Sequence, residues 1–351
     1  NGIIDPNLIP DTDTFVWIMM SALIAGALWL NIATAVGAPV STTHSIVGAV
    51  LGGGIAASGF DIVNWRTMGG IAASWVVSPV LGGIVAAAFL YLIKRSITYK
   101  ADMMGAARQV VPWLVAAMAM VFSVYLSQKG LNQIVKVSLL QAAMIGAIVA
   151  VGVFALVRWQ VKQPKNLLLE GKQGVNSLFT VPLIFAAALL SFAHGSNDVA
   201  NAIGPLAAIV DVYTAHPGQF GTSASIPLWV MMIGALGIAI GLALFGPKVI
   251  RTIGSGITEL DQMRAFCIAM AATLTVIIAS QMGLPVSSTH IAVGGVFGVG
   301  FLREYLKKNY DRMVSEIKEH HPEDDQVAID AFLQRFSNAD WKFIHSYLID
   351  S

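Results

Sequence analysis

Seven long apolar runs decide what this chain can fold into. They cover residues 15–36, 67–93, 110–126, 138–157, 178–193, 226–247 and 265–286. Most reach or approach the ~20 residues that a helix needs to cross the hydrocarbon core of a bilayer. One such run could be a buried helix of a globular core, but seven in succession could not. Only 12% of the 351 residues are charged, against about 25% in a soluble domain, so the chain cannot cover itself with a wetted surface. It is expected to be an all-α integral membrane protein. The 33 glycines agree, because membrane helices pack backbone to backbone at small residues. The net charge of +1 says nothing about partners, and no basic stretch with interleaved aromatics points to nucleic acid, which is not expected as a partner. The lone Cys267 lies in an apolar run, can form no internal disulfide, and reads as a small core residue. The chain opens at Asn1 in a polar loop, without methionine or leader, and residues are expected before it.

Self-comparison reveals a duplication. Residues 37–54 (GAPVSTTHSIVGAVLGGG) align without gaps on residues 283–300 (GLPVSSTHIAVGGVFGVG), with eleven of eighteen positions identical. Apolar helices match by chance at Leu, Ala and Val, but not at Pro, Ser, Thr and His in register. Loop charge then orients the copies. Loops 94–109, 158–177 and 248–264 are basic, whereas loop 1–13 carries Asp5, Asp11 and Asp13 and no base. With the basic loops in the cytoplasm, the first motif lies on an excursion that starts and ends outside, and the second on one that starts and ends inside. The expected architecture is thus an inverted-repeat transporter with broken helices and two Ser/Thr-rich hairpins. Residues 1–157 hold the remainder of the first repeat plus connecting spans, 158–177 a cytoplasmic basic linker, 178–302 the second repeat, and 303–351 a charged cytoplasmic segment. His320 and His321 beside Glu323, Asp324 and Asp325 could ligate a metal, but a solvated tail is the better reading. No span after the second hairpin matches the first repeat's 67–93, so residues are expected beyond Ser351 as well.

Three polar clusters interrupt the apolar runs. Ser41-Thr42-Thr43-His44 and Ser287-Ser288-Thr289-His290 each follow Gly-x-Pro. Proline disfavours helix at the residue before it and has no N–H, so Pro39 and Pro285 mark breaks, with residues 37–45 and 283–291 expected as non-helical tips. Ser and Thr favour the restart of a helix, whose free N–H groups and partial positive charge suit a tetrahedral oxyanion. Gly48-x-x-x-Gly52 and Gly294-x-x-x-Gly298 should then pack each restarted helix closely on a neighbour. The third cluster lies in FAHGSNDVAN, where His194, Asn197, Asp198 and Asn201 share one helical face. Gly195 and Gly204-Pro205 make this span a candidate for a kink or break. A carboxylate and two carboxamides inside a membrane are costly, and they offer the oxygens that hard cations want. No Lys or Arg lies in any of the three clusters. An anion brought near Asp198 therefore needs an accompanying cation, which argues for symport.

The pair of PVS(T/S)TH loops together with HGSNDVAN resembles the PiT family of inorganic phosphate transporters, over nearly the whole chain. The resemblance implies secondary transport of inorganic phosphate across the plasma membrane (a bacterial inner membrane), coupled to Na+ or H+. It implies no enzyme activity and no cofactor or metal beyond that cation. Ser41, Thr42, Thr43, Ser287, Ser288 and Thr289 would hold phosphate, and Asn197, Asp198 and Asn201 the cation. His44, His194 and His290 would be accessory. Two copies could pair as a homodimer in the bilayer. The family's first Asn-Asp motif would precede Asn1, so half of the cation apparatus lies outside this chain, and the fragment is not expected to transport alone. Other oxyanions (arsenate, sulfate), an intramembrane metalloenzyme using His194, Asp198 and His290, and a channel are the competing readings. The metalloenzyme lacks a His-Glu-x-x-His helix.

Overall fold

The computed structural model describes residues 2–100, 102–129, 135–163, 171–214, 226–256 and 261–320. They form ten α-helices among the described residues: α1 (Thr12–Val36), α2 (Thr42–Ser58), α3 (Trp65–Ile93), α4 (Met103–Lys129), α5 (Leu139–Val161), α6 (Gly171–Leu178), α7 (Thr180–Thr214), α8 (Leu228–Gly256), α9 (Gln262–Gln281) and α10 (Ser288–His320). Among the described residues, seven helical segments are long and apolar enough to cross a membrane, and the extended backbone amounts to an isolated bridge between Ile4 and Val63. The chain is a multi-pass membrane protein. Leu139, Leu140, Ile148 and Val151 on α5, and Leu228, Leu236 and Ile240 on α8, are exposed, which is tolerable only against lipid. The helices overrun the apolar runs. Residues 94–98 continue α3 as a π-helical turn, and α4 begins at Met103, so little of the 94–109 region is loop.

Two compact units are each assembled from three separate segments. One comprises 1–82, 190–260 and 272–294; the other comprises 83–189, 261–271 and 295–351. In the first, α1 starts on an Asp11 cap that accepts the Thr14 N–H at 2.7 Å. The helix then buries Phe15, Ile18, Met19 and Ala22 against Ile4, Ile9, Val50, Ile62, Val63 and Val212. In the second, Phe179 and Phe266 meet with ring centroids 5.5 Å apart, and Gly146 of α5 lets α4 approach.

The duplicated motifs fold alike. α1 stops at Gly37 (φ 74°), whose N–H bonds Thr34 O while Ala38 N bonds Ala33 O at 2.9 Å. α9 stops the same way at Gly283 (φ 69°), with Leu284 N on Ala279 O at 3.0 Å. Both are left-handed glycine stops of the kind that ends many helices. A proline then bars continuation, and a serine caps the next helix. The non-helical stretches are 37–41 and 282–287, ending sooner than the expected 37–45 and 283–291, because Ser41 and Ser287 restart the helix at once. α7 runs as one helix through Gly195 and Gly204-Pro205. Of the expected kink or break, the break is absent, since a membrane helix tolerates a proline where neighbours satisfy the freed backbone.

The glycine expectation holds for one repeat only. A Cβ on Gly294 would strike the carbonyl of Pro79, and one on Gly298 the carbonyl of Gly83; Gly82 in turn lies against Ile291 O, 2.8 Å from where its own Cβ would sit. α3 and α10 thus meet backbone to backbone. Gly48 and Gly52 face open space, and α2 instead approaches α1 through Gly53, against Ser21 and Ile18. The histidine pair 320–321 with its acidic neighbours lies almost wholly outside the described residues. Gly298→Ala should therefore destabilise the purified full-length protein by about 1–3 kcal/mol through overpacking. Gly52→Ala should be neutral or stabilising by up to ~1 kcal/mol, because alanine is the better helix former. Thermal unfolding in detergent checks this, and equal shifts for the two variants would refute the asymmetry.

Candidate functional site

The two hairpin tips and the polar face of α7 meet within one compact unit. At each tip the cap is built identically. Ser41 Oγ accepts the His44 N–H at 3.2 Å, and Ser287 Oγ accepts the His290 N–H at 3.2 Å. The Ser45 and Ile291 N–H groups close the first turns on Ser41 O and Ser287 O at 3.1 and 3.0 Å. Each serine hydroxyl accepts in its cap and keeps its own proton to donate. The first-turn N–H groups of α2 and α10 converge here, with the partial positive charge of two helix starts.

The break before α10 frees backbone carbonyls, and side chains take them up. Val286 O accepts Thr43 Oγ1 at 3.0 Å and Asn197 Nδ2 at 3.3 Å, so both of its lone pairs are used. Ser74 Oγ of α3 lies 3.2 Å from Pro285 O, but its single proton is shared with the nearer Ile71 O at 2.7 Å. Thr43 Oγ1 in turn accepts Asn201 Nδ2 at 2.8 Å. Thr43 is 1% exposed, and its single proton goes to Val286, so in this arrangement its hydroxyl fastens the tips rather than offering a donor. Thr42 and Thr289 are half-buried, whereas Ser41, Ser287 and Ser288 are buried.

The α7 face ends in a hydrogen-bonded chain. Asp198, 5% exposed, accepts Asn197 Nδ2 on Oδ1 at 3.2 Å, and its Oδ2 lies 3.1 Å from His194 Nε2. His194 Nδ1 contacts Ser288 Oγ at 2.5 Å. A neutral imidazole with its proton on Nε2 satisfies both ends, donating to the carboxylate and accepting from the serine. Asn197 and Asn201 commit their NH2 groups to the protein, which leaves each Oδ1 as an acceptor alongside Asp198. That donor set suits a hard cation held by oxygen.

All nine predicted phosphate and cation residues, and the three histidines, therefore gather at one locality. His44 and His290 face each other with ring centroids 4.7 Å apart, and Trp75 lies 3.7 Å from His44. A cavity of about 280 Å3 opens beside them, lined by Trp29, Pro39, Val40, Ser41, His44, Ser45 and His290. The contributions of Ser74, Trp75 and the Val286 carbonyl were not anticipated. Ser74 and Trp75 sit in an apolar run where Ser74 and Ser78 at i, i+4 were the available signal; a carbonyl leaves no mark in a sequence.

A model described as the phosphate transporter family matches residues 1–349. A Helicobacter pylori protein provisionally named a phosphate permease is 51% identical over 345 residues, covering 97% of this chain and 65% of its own length. A similarly named protein of Pyrococcus abyssi is 37% identical, covering 86% of this chain and 73% of its own. The chain thus spans about two-thirds of the Helicobacter relative. A solved structure titled "The sodium-dependent phosphate transporter" superposes with a TM-score of 0.78 at 35% identity, covering 86% of this chain and 74% of that one.

The Thr43 cross-link generates a test independent of transport. Thr43→Val should lower stability by about 1–3 kcal/mol, because it strands the Asn201 amide and removes a partner from the Val286 carbonyl. Thr43→Ser should recover most of the loss. Unfolding of the full-length protein without phosphate measures it, and a Thr43→Val variant as stable as wild type would remove the cross-link from the account.

Proposed function

This chain belongs to the phosphate transporter family, and we propose that it serves secondary active transport of inorganic phosphate, coupled to a cation, across the plasma membrane. The observation that carries the reading is the meeting of two serine-capped helix starts with Asn197, Asp198 and Asn201 in one unit. The helix starts supply N–H and hydroxyl donors for a tetrahedral anion; the α7 face supplies oxygens for a cation. Residues 1–157 and 178–302 would act as inverted repeats on either side of the basic linker 158–177, with the charged segment 303–351 in the cytoplasm.

Ser41 and Ser287, with Thr42 and Thr289, are the donors assigned to phosphate, joined by Ser288 when its proton is released from His194 Nδ1; Thr43 acts by holding the tips in register. Asp198, with the Oδ1 atoms of Asn197 and Asn201, is assigned to the cation. Na+ is favoured, in keeping with the sodium-dependent neighbour. Coupling follows from charge and from the hydrogen-bonded chain. Phosphate beside an uncompensated Asp198 is repelled at low dielectric, and a cation on Asp198 removes that repulsion. It also competes with His194 Nε2 for the carboxylate, so the Ser288 hydroxyl at the phosphate end senses whether the cation site is filled.

Two measurements on the full-length protein test the assignment. Thr289→Val should weaken phosphate binding by ~1.5–3 kcal/mol, the worth of a hydrogen bond to a charged acceptor; an unchanged Kd would remove Thr289 from the phosphate set. Asp198→Asn keeps size and one oxygen but drops the charge. It should flatten the dependence of phosphate affinity on cation concentration, by on the order of tenfold at saturating cation, and the effect must be reciprocal. Superimposable wild-type and variant curves would leave the coupling without its central residue.

A further inference from the structure

The first turns of α2 and α10 carry a histidine at the same place, and each is tied to its cap. His44 and His290 donate their backbone N–H groups to Ser41 Oγ and Ser287 Oγ, at 3.2 Å in both, so a displaced histidine displaces the serine that starts the helix. The two rings lie against each other, with centroids 4.7 Å apart and planes tilted by 58°. Behind His44 comes the indole of Trp75 on α3, with centroids 3.7 Å apart. Trp75 Nε1 and His44 Nδ1 are both buried and have no hydrogen-bond partner among the described residues, so ring packing joins the two side chains. The neighbouring residue on α3 reaches the other tip: Ser74 Oγ lies 3.2 Å from Pro285 O. Further along α3, Gly82 lies against Ile291 of the same tip's helix.

We propose that Trp75 is a positioning residue that sets anion specificity: through His44 it fixes the separation of the two helix starts, and with it the size of tetrahedral oxyanion they accept. This rests on the assignment of those starts to phosphate. Contacts run from α3 to the first tip, from the first tip to the second, and from the second tip back to α3, which closes a triangle. Thr43, whose hydroxyl donates to Val286 O at 3.0 Å, is a tie that draws the tips together. The packed rings are a strut that stops them closing further, because a close-packed interior has no free space for a flat ring to yield into. Tie and strut together leave a gap of set width. Helix starts bind oxyanions through N–H groups that point along the helix axis, so the width decides which anion they match. Arsenate shares the charge and shape of phosphate but has longer bonds to oxygen. It differs from phosphate in the one respect that the strut controls.

Equilibrium binding of phosphate and of arsenate to the purified full-length protein, in sodium buffer, tests this. The wild type should prefer phosphate. Trp75→Met keeps much of the bulk but drops the flat ring, and the ratio of arsenate Kd to phosphate Kd should fall about two- to tenfold, the worth of one aromatic pair. Trp75→Phe should keep most of the preference. His44→Gln removes the ring at the other end of the contact and leaves the backbone N–H in the Ser41 cap. It should lower the ratio as Trp75→Met does, and it decides the matter alone if the tryptophan variant fails to fold. A merely structural role would weaken both anions alike and leave the ratio where it was. An unchanged ratio in either variant, a Trp75→Phe ratio as low as that of Trp75→Met, or a wild type without preference overturns the strut and leaves phosphate transport standing. A wild type that binds neither anion removes the phosphate assignment itself, and the strut with it.

Discussion

The carbonyl oxygen of Val286 is the point on which the site depends. A chain that breaks its helix inside a bilayer exposes backbone groups that no water will solvate, at several kcal/mol each. The break before α10 is tolerated because Thr43 and Asn197 both donate to Val286 O. The two donors come from different elements, α2 and α7. Solving the backbone problem of one hairpin therefore fixes the other hairpin and the polar face of α7 in the same place. The serine-capped helix starts and the polar face of α7 are brought together by the need to satisfy one carbonyl.

Charge sets the second constraint. Helix starts contribute only partial positive charge, and neither hairpin tip nor the α7 motif contains Lys or Arg. Asp198 is buried with His194 and Asn197 as its partners. A net negative cargo at this site would need something mobile and positive to arrive with it, as the proposed coupling requires. A fixed lysine in its place would bind phosphate more firmly and release it less readily.

Much of this was legible in the residues, and the limits are physical. Apolar runs and their lengths disclosed the spans, because hydropathy is additive along a helix. Gly37-x-Pro39 and Gly283-x-Pro285 disclosed the breaks, because a left-handed stop and a missing N–H are properties of single residues. The extent of the tips was overestimated, since a serine cap acts at one position and helix resumes at Thr42 and Ser288. Pro205 suggested a break that α7 does not make, because its outcome depends on neighbours that a one-dimensional reading cannot weigh. The spacing of Gly48 and Gly52 equals that of Gly294 and Gly298, yet only the second pair meets a backbone. The double use of the Val286 carbonyl had no signature, being a property of where a main-chain atom ends up.

The contact of Gly294 with Pro79 and of Gly298 with Gly83 also bears on how this sequence can vary. Every single-nucleotide change of a glycine codon that yields another amino acid adds at least a methyl group, and here the first added atom meets main chain, which has no rotamer to yield. At most positions of a membrane helix, drift among Ala, Val, Leu and Ile is nearly free. At these two the usable alphabet shrinks to one letter, unless α3 itself shifts. Gly48 and Gly52 meet nothing within 4 Å among the described residues, so an added methyl there has room. Two motifs of like sequence thus tolerate different substitutions, set by what each lies against.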